Sequence, residues 1–316
     1  MNAGMLQVAV IQSGSLLFRR EATFERVSAS VESAASAGAE LVVLPEALLG
    51  GYPKGLDFGV RIGSRSSAGR EEFRRYWDGA IDIPGPETRA LRELAAERQV
   101  GIVIGAVAHA GNTLLCCTLL FPPNGSEPLV HNKLMPTAGE RTIWGAGDGS
   151  TMPVMPIDGA IVGSAICWEN YMPLFRTAMY AKGVDIWCAS TVDDRDTWLA
   201  TMRHVALEGR CFVLSACQFL RRDGFPSDVH PVQGDRPDTV LIGGGSVIIS
   251  PLGEIIEGPL RDEEGVLFAH LDLNDLTRAR MDFDAVGHYA RSDVFQLLVN
   301  EQPRRGVDSG QIETLE

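Results

Sequence analysis

An α/β fold of two packed sheets with helices on the outside is predicted by three features of the 316-residue chain. Strand signals alternate with helical patterns in the first and third quarters, and antiparallel strand pairs fill the rest. The strands of both halves are apolar on both faces, so each sheet needs cover on two sides; two stacked sheets supply it better than one open sheet.

The elements follow in order. Met5 to Gln12 reads as the first strand, and Phe24, Val27, Val31 and Ala34 fall at helical spacing until Gly38 ends the helix. Glu40 to Leu44 is the second strand, followed by a glycine- and serine-rich loop over Gly50 to Ala68. Thr88 to Arg98 is a helix; Gly101 to Ala108 and Thr113 to Phe121 pair as a hairpin through Gly111-Asn112. Leu129 to Lys133 is strand-like and Ala160 to Ile166 is a strand. Leu174 to Ala181 is a helix, Val184 to Ala189 a strand, and Trp198, Met202 and Val205 mark a helix with Asp193, Asp194 and Asp196 in its first turn. Phe212 to Phe219, Val240 to Ser250 and Val266 to Leu271 are further strands, and the three-proline stretch Arg221 to Asp238 is irregular. Gly243-Gly244-Gly245-Ser246 lacks the Lys-Ser/Thr ending of a phosphate loop and marks a bulge or a close backbone approach.

Composition narrows the function classes. With 45% hydrophobic and 22% charged residues the chain is an ordinary globular protein, expected to form one domain over 1–303 with a polar tail over 304–316. No apolar run approaches the ~20 residues that cross a bilayer, and no basic segment leads into a hydrophobic one at the start, so a cytoplasmic protein without a membrane partner is expected. A net charge of -13 argues against a nucleic-acid partner. The six cysteines form no C-x-x-C pair, which signals neither a metal site nor a redox pair; Cys188, Cys211 and Cys217 read as core residues.

Reactive groups stand at three strand ends. The run Ile161 to Ile166 stops at Cys167 and turns polar at once with Trp168-Glu169-Asn170, a poor continuation of a core strand. Leu41 to Leu44 is broken by Pro45 and followed by Glu46, where the apolar Ala47-Leu48-Leu49 limits solvation and raises the pKa of a carboxylate. Lys133 ends a third strand and is one of only three lysines, with Lys54 and Lys182, among 28 basic residues. A thiol, a base to take its proton and a cation to hold developing charge suggest one shared site. Glu140 either joins it or pairs with Arg141. Lys54 has no assignment, Lys182 reads as a helix-end cation, and His288 remains a distant alternative base.

Together these segments resemble the nitrilases, the nitrile-hydrolysing branch of the carbon-nitrogen hydrolase superfamily, from about residue 5 to residue 300. Leu44-Pro45-Glu46-Ala47 is similar to the family's glutamate motif, and His131 to Thr137, continuing through Glu140-Arg141 and Trp144-Gly145 to Gly147-Asp148-Gly149, to its lysine motif. Cys167 to Leu174 is similar to its cysteine motif, with Trp168 pointing to the nitrilase branch; Met202 to Arg210 and His230 to Gly234 add to the likeness. Asn132, Ser190 and Ser292 depart from the family's usual arginine, proline and proline, away from the reactive groups.

The resemblance implies a four-layer αββα sandwich that self-associates into dimers and larger or spiral homo-oligomers. It implies a catalytic triad Glu46, Lys133 and Cys167 with Glu140 in support, acting without a cofactor on a small-molecule nitrile to give acid, ammonia and some amide. Tyr52, Trp168, Ser190 and Thr191 are expected to line the substrate pocket. An amidase or carbamoyl hydrolase using the same triad, and a noncatalytic assembly protein, are the alternatives.

Overall fold

The computed structural model describes residues 4–304, so the expected tail lies, apart from Arg304, outside the described residues. Its strands are β1 (Met5–Gln12), β2 (Leu41–Val43), β3 (Gly101–Ala110), β4 (Thr113–Phe121), β5 (Leu129–Asn132), β6 (Val154–Ile157), β7 (Ala160–Ile166), β8 (Ile186–Thr191), β9 (Phe212–Cys217), β10 (Phe219–Arg221), β11 (Val240–Ile249), β12 (Ile255–Arg261) and β13 (Gly265–Asp272). Its helices are α1 (Arg20–Ser36), α2 (Ser67–Gly79), α3 (Pro86–Arg98), α4 (Pro173–Ala181), α5 (Asp196–Gly209) and α6 (Asn274–Ala279).

Two sheets form. One runs β13-β1-β2-β3-β4-β5, the other β10-β11-β9-β8-β7-β6 with β12 on β11. Alternation along β1 shows why they stack: Leu6, Val8 and Val10 join Val162, Ile186, Leu214 and Ile248 of the second sheet in a core between the sheets. Ala9 and Ile11 point the other way, into a layer with Val27 and Val31 of α1 and Leu91 and Ala95 of α3. On the far side Phe175 and Met179 of α4 and Trp198, Met202 and Val205 of α5 cover Trp187, Val213 and Ile249. The order is helix, sheet, sheet, helix, the expected αββα sandwich.

Gln12 bolts the sheets at one edge. Its side-chain oxygen accepts the N–H groups of Gly245 and Ser246 at 3.0 Å each, and its amide donates to Leu260 and Glu263 carbonyls. A Cβ on Gly244 would lie 2.2 Å from that amide nitrogen, and the β11–β12 register shifts there, so the glycine run serves both expected purposes.

Helix α2 lies beyond the expected elements, and two expectations need correction. Helix α2 was hidden by its Arg70-Glu71-Glu72 and Arg74-Arg75 charge, although Ser66 caps it by accepting Gly69 N–H and Phe73, Tyr76 and Trp77 form its apolar stripe. Helix α5 begins at Asp196, so Asp193 and Asp194 precede its first turn; Asp193 instead accepts Arg195 N–H at 3.2 Å. Strand β8 runs on to Thr191 because its parallel pairing with β9 continues through Ser190 and Thr191.

Strands β1, β2 and β3 are parallel, as are β7, β8 and β9, and two antiparallel reversals bring β5 back to the direction of β3. The residues that follow β2, β5 and β7 therefore emerge at strand C-terminal ends, where open parallel sheets place their ligands. Gly105 of β3 makes room for the first of these: a Cβ there would stand 2.4 Å from Pro45 O and 2.5 Å from Glu46 Cα. Gly105→Ala is expected to cost about 1–3 kcal/mol or more in a urea titration by overpacking. Gly139→Ala, with nothing within 4 Å of the new methyl, should stay within about 0.5 kcal/mol.

Candidate active site

Pro45 ends β2, and the chain turns so that Gly105 N–H donates to Pro45 O at 3.0 Å while Ala47 takes a left-handed φ of 47°. Glu46 is driven inward and fully buried. Lys133, one residue past β5, is also fully buried and donates to Glu46 Oε1 at 2.6 Å and Glu140 Oε2 at 2.7 Å. Glu140 is held in turn by Thr137 N–H and by the Tyr52 hydroxyl, which donates to its Oε1 at 2.9 Å. Arg141 donates instead to Pro136 O, so Glu140 pairs with the lysine rather than its neighbour. The Trp144 ring lies 5.6 Å from the Lys133 ammonium.

Cys167 follows β7 with a left-handed φ of 48°, uncommon for a side chain with a Cβ, and is 3% exposed. Glu169 sets its position. The Glu169 carboxylate accepts Ile166 N–H and Leu134 N–H at 2.7 Å each and a ring N–H of His131 at 2.8 Å. One buried side chain thus ties the cysteine turn to the lysine turn.

The charges shape the protonation states. Burial pushes the Glu46 carboxyl up to about 7, with Lys133 pulling it down and Glu140 pushing it up again. Burial and then the Glu46 charge also push the Cys167 thiol well up, and Lys133 only partly offsets them. Burial opposes the Lys133 charge, but Glu46 and the groups around it hold the ammonium protonated above its ordinary range. The resting cysteine is a thiol beside a carboxyl near neutrality. Glu46 Oε2 has no hydrogen-bond partner among the described residues.

A cavity of about 180 Å³ opens onto Cys167 and Glu140, with Glu46 and Lys133 buried outside its lining of Tyr52, Lys54, Thr137, Glu140, Cys167, Trp168, Val192, Asp193, Asp194 and Arg195. A larger cleft of about 750 Å³ runs past Arg19, Arg26 and Phe219 and holds none of Glu46, Lys133, Glu140 and Cys167. Tyr52 and Trp168 stand in the wall of the smaller cavity. Thr191 is fully buried beneath it, with its hydroxyl 3.4 Å from the Cys167 sulfur. Ser190 departs from its expected place as a pocket residue: fully buried, it spends its hydroxyl on Leu44 O at 2.8 Å because its side chain faces the other sheet. His288 is exposed and bonded to Asp284, and Lys182 caps the end of α4 and donates to Met152 O.

Several residues escaped the sequence. Asp193 accepts Trp168 Nε1–H at 2.9 Å and pairs with Arg195, whose guanidinium lies over the Trp168 ring. Cys116 donates its thiol to Glu46 Oε1 at 3.8 Å, and Gln218 donates to Glu46 O at 2.7 Å. Nothing in local pattern marks the last two, since each reaches Glu46 only through tertiary packing. No group of three or more potential metal ligands occurs among the described residues.

The family model for carbon-nitrogen hydrolases matches residues 7–281. The chain is 50% identical over 305 residues to Nitrilase blr3397 of Bradyrhizobium diazoefficiens, covering 96% of this chain and 94% of that protein. It is 50% identical over 301 residues to an aliphatic nitrilase of Sinorhizobium fredii (95% and 97% covered) and 48% identical over 311 residues to the bifunctional nitrilase/nitrile hydratase NIT4A of Lupinus angustifolius (97% and 89%). Among solved structures, a CN-hydrolase superfamily protein of Xanthomonas campestris aligns with a TM-score of 0.69 at 18% identity, covering 89% of this chain and 96% of that one. An amidase of the nitrilase superfamily from Nesterenkonia aligns with a TM-score of 0.64 at 17% identity over 89% and 96%; at such identity both speak for the fold alone.

Removing the Glu169 carboxylate leaves the buried His131 and two N–H groups without their partner. Glu169→Ala is expected to lower stability by about 3–5 kcal/mol, read from urea unfolding curves. A loss under 1 kcal/mol would mean that the two turns hold without it.

Proposed function

Because the chain belongs to the nitrilases of the carbon-nitrogen hydrolase family, we propose that it hydrolyses an organic nitrile to a carboxylic acid and ammonia, with Glu46, Lys133, Cys167 and Glu140 as the catalytic residues. Cys167 in the lining of a cavity, within the electrostatic reach of the buried Glu46 and Lys133, is the observation that supports covalent catalysis. Identity near one half along almost the whole length of named nitrilases favours a nitrile over an amide as substrate.

Burial and Glu46 both favour the protonated form of the Cys167 thiol, so the nucleophile enters the reaction as S–H. Glu46 takes the proton as sulfur adds to the nitrile carbon, and the nitrogen, protonated in turn, becomes that of a thioimidate. Lys133 stabilises charge on the nitrogen and later on oxygen; one such donor is worth about 3–4 kcal/mol. Glu46 then deprotonates a water that attacks the same carbon. Loss of ammonia from the tetrahedral intermediate leaves a thioester, hydrolysed to the acid. Loss of the thiol instead releases an amide, and a relative whose name carries both nitrilase and nitrile hydratase supports that branch. Glu140 and Tyr52 keep Lys133 aimed, and Trp168 borders the substrate. No step calls for a cofactor.

Self-association into dimers or longer homo-oligomers is supported by exposed Leu174 and Leu207 on α4 and α5 and by Phe295 and Leu298 near the end of the described chain. No helix among the described residues is long and apolar enough to cross a membrane.

Acid and ammonia should appear from a panel of arylaceto-, aromatic and aliphatic nitriles and vanish in Cys167→Ala; turnover of amides alone would overturn the nitrile assignment. Glu46 must be ionised to act, so kcat/KM should fall about tenfold per pH unit below an apparent pKa near 7. Glu140 holds Lys133 and also pushes that value up, so Glu140→Gln should lower turnover through the lysine and move the acid limb to lower pH. A profile flat down to pH 5 would remove Glu46 as the base.

A further inference from the structure

We propose that Thr191 is a catalytic residue that donates its hydroxyl proton to the sulfur of Cys167 and carries part of the negative charge developing there. The inference rests on Cys167 being the nucleophile. Thr191 ends β8, fully buried, with Oγ1 3.4 Å from Sγ, and it is the hydrogen-bond donor that reaches this sulfur among the described residues.

Its direction is fixed from behind. The backbone N–H of Asp193 donates to Thr191 Oγ1 at 3.0 Å, so the hydroxyl accepts on one side and has its single proton left for the sulfur on the other. The backbone of the same residue is tied to the base: Gln218 N–H donates to Thr191 O at 3.3 Å, and the Gln218 side chain donates to Glu46 O at 2.7 Å. The base that takes the cysteine proton and the donor to its sulfur are therefore held through one glutamine.

The need for such a donor follows from the surroundings. Lys133 is the nearby cation, but its ammonium already serves Glu46 and Glu140. As the S–H bond breaks, its proton goes to Glu46 and the sulfur's electron pair to the electrophilic carbon. Thr191 keeps its own proton throughout, and its hydrogen bond strengthens as sulfur gains charge.

The test compares Thr191→Val, which keeps the shape and loses the donor, with Thr191→Ser, which keeps it. Alkylation of Cys167 by iodoacetamide, followed on the Cys167 peptide by mass spectrometry, reads the nucleophile without any nitrile. Thr191→Val should react roughly 10- to 100-fold more slowly, as expected for a hydrogen bond to a charged group, and kcat/KM for a nitrile should fall in parallel. Thr191→Ser should stay within about threefold of wild type. Wild-type alkylation by Thr191→Val would overturn the proposal, as would an equal loss in both variants. Should Thr191→Val melt early, Thr191→Ala carries the same expectation. If alkylation depends on Thr191 while no nitrile is turned over, the nitrilase proposal fails and this one stands.

Discussion

A lysine without access to water must be neutralised where it lies, and Lys133 is neutralised from both sides. Burying an ammonium costs several kcal/mol unless carboxylates repay it at close range, and Glu46 and Glu140 do so at 2.6 and 2.7 Å. Much of the surrounding architecture serves that demand. Gly105 lets Glu46 come close, Thr137 N–H and Tyr52 orient Glu140, and Trp144 offers its ring. Two carboxylates and one cation leave a surplus of negative charge. Burial lifts the Glu46 carboxyl toward neutrality against the pull of Lys133, and Glu140 adds to the lift.

The same surplus works against the cysteine. A site that simply lowered the thiol's proton affinity would need an undivided cation beside it, and Lys133 is divided. The left-handed backbone of both Ala47 and Cys167 points to a different solution, in which placement does what charge does not. Glu46 and Cys167 each follow a strand at such a turn and are buried there. Glu169, a buried anion held below the usual carboxylate range by His131 and two backbone N–H groups despite its burial, anchors that geometry.

What the sequence revealed followed from local signals. Strands apolar on both faces suggested two stacked sheets with helices outside; an apolar run stopping at Cys167, and Pro45 before Glu46, marked the strand ends that carry the thiol and the carboxylate. Features made of distant partners stayed hidden. Gln218 looks like any polar residue after a strand until it meets Glu46, 172 residues away. Ser190 and Thr191 are neighbours with opposite fates because strand side chains alternate: one faces Leu44 of the other sheet and one the sulfur. Charge obscured α2 for a comparable reason, since its aromatic stripe has meaning only against Phe58 and Trp144.

The pairing of β1 with β13 has a consequence for how the chain comes to be folded at all. Met5 faces Asp272 and Gln12 faces Gly265, so an early segment completes its ladder only with one synthesised about 250 residues later. On the ribosome, β1 can find β2 at once but must wait for β13. The Gln12 amide, which reaches Leu260 and Glu263, waits with it. Closing loops of that length is entropically slow and favours late, cooperative completion over stepwise growth. A nascent chain released early would carry every residue of the Glu46–Lys133–Cys167 cluster and still lack the strand that finishes the first sheet.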